Sequence, residues 1–296
     1  MARMTAQTES KKPWQVWRDR RNRLSTLRIG TLALLLAPLA KLLIDFDAVR
    51  HGARPLNDVI HRSGFWALVF LGLALAVTPL RRILRYGGLI DVRRMIGVAA
   101  FFYIVAHLAL FIADQSFDLA KVAGEIVKRV YLIIGALAWL GLFVLALTST
   151  DAMVKRLGGV RWRRLHQSVY AIALLALIHY FQQTKADVAV PTFTAALFGW
   201  LIGYRLLAWR QGRSELSPWS LLGLGIAISV LTFACEAIGI ALVFNVSPVR
   251  VLETAFDFGA GVRPGWQVLA ASLCVVALDI VCARWRGRTP AAPQAA

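Results

Sequence analysis

The sequence has little cysteine and none of the common nucleotide-binding motifs. Its three cysteines, Cys235, Cys274 and Cys282, have no C-x-x-C spacing, so neither a zinc site nor an iron–sulfur cluster is indicated. All three lie in apolar runs, and we interpret them as packing residues. The chain also lacks a Walker A motif and a G-x-G-x-x-G between a strand and a helix, which excludes an ATP-binding or nicotinamide-binding module of those kinds.

Acidic residues are scarce relative to basic ones. The chain has 16 Asp and Glu against 34 Lys and Arg, a net charge of +18 over 296 residues. In a soluble protein this charge would point to nucleic acid. Here 58% of the residues are hydrophobic, the mean hydropathy is +0.61, and the cations cluster between long apolar runs. The charge is therefore typical of membrane topology and of contact with anionic lipid.

The apolar runs predict an all-α, polytopic membrane helix bundle. A span needs about 20 mainly apolar residues. The predicted spans are Leu27–Phe46, Ser63–Leu80, Ile96–Ala113, Val130–Thr148, His166–Thr184, Pro191–Trp209, Pro218–Phe244 and Trp266–Ala283. The N-terminal tail, every second loop and the C-terminus carry most of the cations, so the positive-inside rule predicts that both termini are cytoplasmic. An even number of spans agrees with that orientation.

Two histidines fall at one level of the predicted bundle. His107 lies eleven residues into the third span and His179 lies thirteen residues into the fifth, at depths of about 16 and 20 Å from the cytoplasmic edge. Ionisable residues inside a membrane are costly and are functional candidates for that reason. Imidazoles from two neighbouring helices at one level can ligate one haem iron from both sides. The pair therefore predicts one bis-histidine haem.

His166 lies at the cytoplasmic edge, about 20 Å along the helix axis from His179. It is a candidate ligand of a second, inner haem. A symmetrical partner would lie near position 93, where the chain has Arg93 and Arg94, which can pair with haem propionates but not ligate iron. A second haem would need a shared ligand, a non-histidine ligand or open coordination. His61 is a reserve candidate and His51 is assigned no role.

Two carboxylates also fall within predicted spans. Glu236 lies in the middle of the seventh span and Asp279 lies in the eighth. Either they form part of a proton path, or each is hydrogen-bonded to a neighbour, and we favour the second interpretation. With Lys41 they leave open a transporter or channel as an alternative function. The absence of a transporter-like internal repeat and of paired broken helices argues against it.

Three stretches carry a family resemblance: DVRRMIGVAAFFYIVAHLALFI, YLIIGALAWLGLFVLALTST and KRLGGVRWRRLHQSVYAIALLALIHYFQQTK. Over about residues 27–210 the chain closely resembles the MsrQ family, formerly called YedZ, which belongs with the ferric reductase-like transmembrane domains. The resemblance places His107, His166 and His179 on the family's haem-ligand histidines. It also implies an FMN cofactor, for which we identify no binding residues.

The resemblance implies an electron-transfer subunit with heme b in the bacterial inner membrane. Its electrons would come from a cytoplasmic flavin reductase or a quinone. They would pass to a periplasmic molybdopterin-containing subunit that reduces methionine sulfoxide in damaged proteins. A stand-alone ferric or superoxide-generating haem reductase is the alternative within the same fold.

The resemblance also divides the chain. Residues 1–26 form a predicted basic cytoplasmic tail and residues 27–210 a six-helix, ferric reductase-like core. Residues 211–296 are expected to form a two-helix transmembrane extension, whose role the resemblance leaves open.

Overall fold

The computed structural model describes residues 17–18, 23–49, 55–184 and 187–287. Most of the predicted tail and His51 lie outside these ranges. Within them the chain forms α-helices and short 3-10 turns, and no β-strand. The helices are α1 (Thr26–Val49), α2 (Pro55–Ile83), α3 (Ile90–Asp114), α4 (Leu119–Lys128), α5 (Val130–Leu147), α6 (Asp151–Leu157), α7 (Gly159–Gln167), α8 (Val169–Gln183), α9 (Ala189–Arg210), α10 (Pro218–Phe244), α11 (Pro248–Glu253) and α12 (Pro264–Gly287).

Seven of the described helices, α1, α2, α3, α5, α9, α10 and α12, are long and apolar enough to cross a membrane. The prediction of one continuous fifth span, His166–Thr184, is wrong, because the chain breaks at Ser168 into α7 and α8. The backbone N–H and the hydroxyl of Ser168 both donate to the carbonyl of Leu165, at 3.0 and 2.7 Å. This tightens the last turn of α7 and leaves α8 with only 15 residues.

Although short, α8 lies antiparallel to α5 along its length. His166, just before α8, contacts Thr148 at the end of α5, and His179 near the end of α8 contacts Tyr131 at the start of α5. α8 therefore runs between the same two ends of the bundle as the seven longer helices. The chain is a multi-pass, all-α membrane protein, in which α8 is shorter than the predicted fifth span.

The two ends of the bundle differ in charge. One end, here called the basic end, holds the cation-rich segments between α2 and α3, between α5 and α8, and between α9 and α10. The other, here called the opposite end, carries α4 and α11 and most of the described loop acids. α2 and α5 both run towards the basic end, and α3 and α8 return from it.

α2 occupies the centre of the bundle and packs against α1, α3, α8, α9 and α12. Ser63, Phe70 and Leu75 are almost fully buried along it. Arg205 links α9 to α2, because its guanidinium donates to the carbonyl of Leu201 in α9 and to that of Leu75 in α2. The outer faces of the helices expose large apolar side chains, as lipid contact requires.

α10 and α12 pack against each other and against α9, and α12 also reaches α2. Their two buried carboxylates each face an arginine, with Glu236 Oε1 3.3 Å from Arg263 and Asp279 Oδ1 3.8 Å from Arg85. This arrangement favours paired structural carboxylates over a proton path.

The cysteines do not pack as expected. Cys235 and Cys274 are exposed on the helix surface, and only Cys282 is half-buried. Exposure on an apolar bundle places a small, weakly polar thiol against lipid at little cost.

Candidate functional site

A cavity of about 690 Å³ opens among α2, α3, α5 and α8. This volume is within the range of about 300–1,000 Å³ that is usual for cofactor and ligand sites. Its wall includes His107 of α3 and His179 of α8, and its mouth reaches Asn57, Lys121 and Arg129 at the opposite end. The two histidines that the sequence places at one level therefore share one cavity.

The ring of His107 is oriented by the neighbouring helix α2. Its Nδ1 lies 2.8 Å from the carbonyl oxygen of Ile60 and 3.5 Å from Oγ of Ser63. A carbonyl oxygen can only accept, so Nδ1 carries the proton and donates it. In the neutral ring this leaves Nε2 as the unprotonated nitrogen, which is the state that a metal ligand requires.

His179 is held in the same manner by α5. Its Nδ1 donates to the carbonyl oxygen of Tyr131 at 2.7 Å, and the Tyr131 ring lies 6.3 Å from the imidazole, centroid to centroid. The Tyr131 hydroxyl accepts a hydrogen bond of 3.0 Å from Arg129. Nε2 of His179 is therefore also the free nitrogen. Metal-binding histidines commonly donate their second ring nitrogen to a backbone carbonyl in this way.

The spacing of the two rings fits a single iron between them. The ring centroids of His107 and His179 are 6.4 Å apart and the ring planes are 87° apart. Imidazole nitrogens bind transition metals at about 2.0–2.1 Å, so two rings on opposite sides of one metal ion have centroids about 6 Å apart. The observed spacing agrees with bis-histidine ligation.

The cavity wall also offers a hydrogen-bond donor. Trp139 of α5 lines the cavity and stacks on Phe143 at 5.4 Å. Within the described part of the chain, its Nε1 is buried and has no hydrogen-bond partner. A buried donor without a partner is costly, so a polar group in the cavity would satisfy it. The residues present therefore fit a macrocycle that carries polar substituents.

The other predicted candidates are separated from this pair. His61 lines the same cavity but is exposed at its edge. His166 does not contribute to the wall of this cavity. Its Nε2 lies 3.1 Å from Oγ1 of Thr148, and its ring stacks on Trp162 at 4.0 Å. The structure thus brings together two of the three predicted ligands.

Arg93 and Arg94, which the sequence places opposite His166, are its charged neighbours in the structure. Burial lowers the pKa of His166 below its usual range, and the nearby guanidinium of Arg93 lowers it further. The guanidinium of Arg93 is therefore near the His166 ring. A lowered pKa keeps the imidazole neutral, while Arg94 is paired with Asp151.

Two residues of the site, Trp139 and Tyr131, and two arginines elsewhere in the bundle, Arg205 and Arg263, were not predicted from the sequence. Trp139 gives no sequence signal of a site, because tryptophans near span ends are typical of the membrane interface. Tyr131 offers the site a backbone carbonyl, which no side-chain pattern reveals. Arg205 lies within a predicted span, and an intramembrane arginine is a signal that could have drawn attention to it. Arg263 was missed because it lies outside the predicted spans, three residues before Trp266.

The fold and the site define a multi-pass, all-α membrane bundle whose cavity holds two histidines with free Nε2 atoms. Residues 63–177 match the family model described as ferric reductase like transmembrane component. This range contains His107 and His166 and ends two residues before His179. No solved structure matches the chain.

Curated relatives identify the family more narrowly. A protein of Rhodospirillum rubrum is 40% identical over 196 residues, 64% of this chain and 94% of the relative. A protein of Ralstonia nicotianae is 39% identical over 194 residues, 64% of this chain and 89% of the relative. A protein of Xanthomonas oryzae pv. oryzae is 40% identical over 188 residues, 60% of this chain and 84% of the relative. Each is named protein-methionine-sulfoxide reductase heme-binding subunit MsrQ, and this chain belongs to the MsrQ family.

Proposed function

We propose that the protein is a b-type haem electron-transfer subunit of a methionine sulfoxide reductase system. The observation that carries the proposal is the His107–His179 pair, with both Nδ1 atoms bonded to helix carbonyls and centroids 6.4 Å apart. The names of the relatives, which are heme-binding subunits of that system, support it. When bound, the haem would supply a one-electron redox centre whose potential depends on its ligands and on burial.

The chain's own residues would orient and insulate this group. His107 and His179 offer neutral nitrogens from opposite helices, and the carbonyls of Ile60 and Tyr131 fix their tautomers. Apolar side chains of α2, α3 and α5 line much of the cavity and keep the dielectric constant low there, while polar side chains lie at its mouth. Trp139 would donate to a polar substituent of the group. His166 would belong to a separate inner site, if a second haem is bound.

In this proposal the basic end faces the cytoplasm of a bacterium and the bundle lies in the inner membrane, with both termini cytoplasmic. A cytoplasmic flavin reductase or a quinone donates electrons, and FMN is a further cofactor implied by the family. The acceptor is a periplasmic, molybdopterin-containing reductase. The mouth of the cavity at the opposite end supports this direction, since it brings the haem site close to the side where that partner would dock.

A spectrum of the purified full-length protein tests the haem site. We expect low-spin b-type bands in the reduced-minus-oxidised spectrum, and haem measurable as the pyridine haemochrome. The double variant His107→Ala/His179→Ala should lose these bands. The control His61→Ala removes an exposed imidazole at the edge of the same cavity and should keep them. A folded wild-type protein that stays colourless after haem supplementation would refute the proposal.

A second experiment tests the acceptor. Membranes containing the chemically reduced protein are mixed with a periplasmic molybdopterin reductase and methionine sulfoxide, and reoxidation of the haem is followed optically. We expect reoxidation that requires both additions. The alternative, a stand-alone ferric or superoxide-generating haem reductase, would share the fold of the matching ferric reductase-like family. Rapid reoxidation by a ferric chelate or oxygen, with none by the reductase, would support that alternative.

A further inference from the structure

Two glycines face the two cavity histidines at very short range. A Cβ atom added to Gly64 of α2 would lie 3.0 Å from Cε1 and Nδ1 of His107. A Cβ atom added to Gly135 of α5 would lie 2.9 Å from the same two atoms of His179. At 2.9 Å the His179 ring would have to shift, and at 3.0 Å the His107 ring would have to give by a few tenths of an ångström. In each case the imidazole edge occupies the space that a side chain would fill.

Each glycine stands at the same place relative to the carbonyl that orients its histidine. The acceptor for His107 is the carbonyl of Ile60 and the acceptor for His179 is that of Tyr131, each four residues before the glycine. In an α-helix the carbonyl of residue i accepts from the N–H of residue i+4. The glycine N–H and the histidine Nδ1 therefore converge on one oxygen, which has two lone pairs to accept them.

The similarity extends along both helices. The sequence G-x-x-A-x-x-x-L occurs at Gly64 in α2 and again at Gly135 in α5, 71 positions later. The glycine, alanine and leucine of both copies line the cavity. The two histidines are 72 positions apart, on the helices that pack antiparallel to these two. The site thus consists of two similar helix-pair half-sites, α2–α3 and α5–α8.

We propose that Gly64 and Gly135 are positioning residues that set the orientation of the two cavity imidazoles, one in each half-site. The proposal rests on the haem function proposed above. An imidazole pressed by a Cβ atom cannot simply withdraw, because its Nδ1 is anchored to a carbonyl on the same helix as the glycine. It must rotate, or lose that hydrogen bond, and either change alters the bond that Nε2 makes to iron.

Two other glycines provide matched controls. Gly141 also lies in α5 and faces α8, where a Cβ atom would meet Cγ1 of Ile172 at 2.7 Å. Gly141→Ala therefore crowds the same helix pair without touching an imidazole. In the α2–α3 pair, a Cβ atom at Gly97 would meet only Cβ of Ala74, at 4.0 Å. Gly97→Ala controls for the substitution itself.

The test compares Gly64→Ala and Gly135→Ala with these controls in the purified, full-length protein. The readouts are the ferric electron paramagnetic resonance spectrum and the midpoint potential of the haem. We expect both variants to convert part of the low-spin signal to high-spin, or to change the redox equilibrium constant about tenfold, which is ~59 mV for one electron. Both controls should match the wild type. Wild-type spectra and potentials in Gly64→Ala and Gly135→Ala would overturn the proposal while leaving the haem function intact.

A double-mutant cycle keeps the proposal testable if Gly64→Ala binds no haem. In the His107→Ala background the imidazole is gone, so Gly64→Ala should no longer lower the unfolding temperature of the haem-free protein. It should raise it slightly, because alanine favours a helix over glycine. An equal loss of stability in both backgrounds would show that Gly64 acts through general packing and would overturn its positioning role. A colourless wild-type protein would refute the haem function, whatever the cycle shows.

Discussion

The histidine pair in the cavity and His166 near the basic end differ in which ring nitrogen is engaged. At His107 and His179 a backbone carbonyl takes the Nδ1 proton and leaves Nε2 free. At His166 the hydroxyl of Thr148 engages Nε2 itself, and Trp162 covers one face of the ring. The same side chain is thus prepared for a metal in one place and occupied by the protein in the other.

The difference teaches that the neighbours of a histidine decide its role as much as its depth does. A carbonyl is an acceptor only, so it fixes the tautomer without ambiguity. A hydroxyl can donate or accept. Thr148 can donate to the carbonyl of Val144 at 2.8 Å, and it is then free to accept from Nε2 of His166. The cavity pair is therefore the better-prepared ligand set.

The largest expected effect comes from removing single histidines. We expect His107→Ala and His179→Ala each to lower haem affinity at least tenfold, because loss of even an outer partner of a metal ligand costs about 10–100-fold. His166→Ala should leave the bands of the cavity haem in place. Haem titration of the purified variants, followed by absorbance, measures this. An equal loss of haem affinity in all three variants would show that His166 binds the haem as much as the cavity pair does.

Glu236 and Asp279, the two buried carboxylates, allow a second comparison, between two arginine contacts of different length. Glu236→Ala should lower the free energy of unfolding by about 1–3 kcal/mol, since it removes the carboxylate partner of Arg263 and leaves that guanidinium only its bond to Thr254. Asp279→Ala should lower the free energy of unfolding by less, because the contact of Asp279 with Arg85 is longer, 3.8 Å against 3.3 Å for Glu236 with Arg263. Thermal unfolding in detergent compares them. If both variants keep wild-type stability, the two carboxylates are not structural, and the transport alternative regains support.

Trp139→Phe tests the unpartnered donor in the cavity wall. The change keeps an aromatic ring against Phe143 and removes only the indole N–H. We expect haem to remain bound and the redox equilibrium constant to change by up to about tenfold, ~59 mV for one electron. Potentiometric titration measures it. Phe143→Leu disturbs the same stack and keeps the N–H, so it serves as the control. An unchanged potential in Trp139→Phe would show that the indole donates to nothing in the loaded site.

Thr148→Val is expected to have the smallest effect. It removes the partner of Nε2 in His166 and should cost about 1 kcal/mol of stability, as the loss of one hydrogen bond does. The spectrum of the cavity haem should not change. Visible spectroscopy and thermal unfolding on one preparation check both parts. A new or shifted low-spin band in Thr148→Val would contradict this and would indicate that His166 ligates a second haem.

Much of the fold was predictable because a helix that crosses a membrane must be a long run of mainly apolar residues. The predicted Pro218–Phe244 agrees with α10 at both ends, and Val130–Thr148 agrees with α5 to one residue. The start of α2 was missed by eight residues, since Asp58, His61 and Arg62 interrupt the apolar run there. Helices continue through polar residues once they leave the hydrocarbon, so hydropathy alone ends them too early.

The sequence by itself determined the class of the protein, most of the long apolar helices and the common level of His107 and His179, because hydrophobic length and helical rise are local properties. Only the tertiary structure decided which nitrogen of each imidazole is free, since that depends on carbonyls of helices about 47 positions away along the chain. It also decided that Gly64 and Gly135 adjoin the two rings and that His166 does not share their cavity. Such contacts between distant positions depend on how the helices pack, and a one-dimensional pattern does not specify that packing.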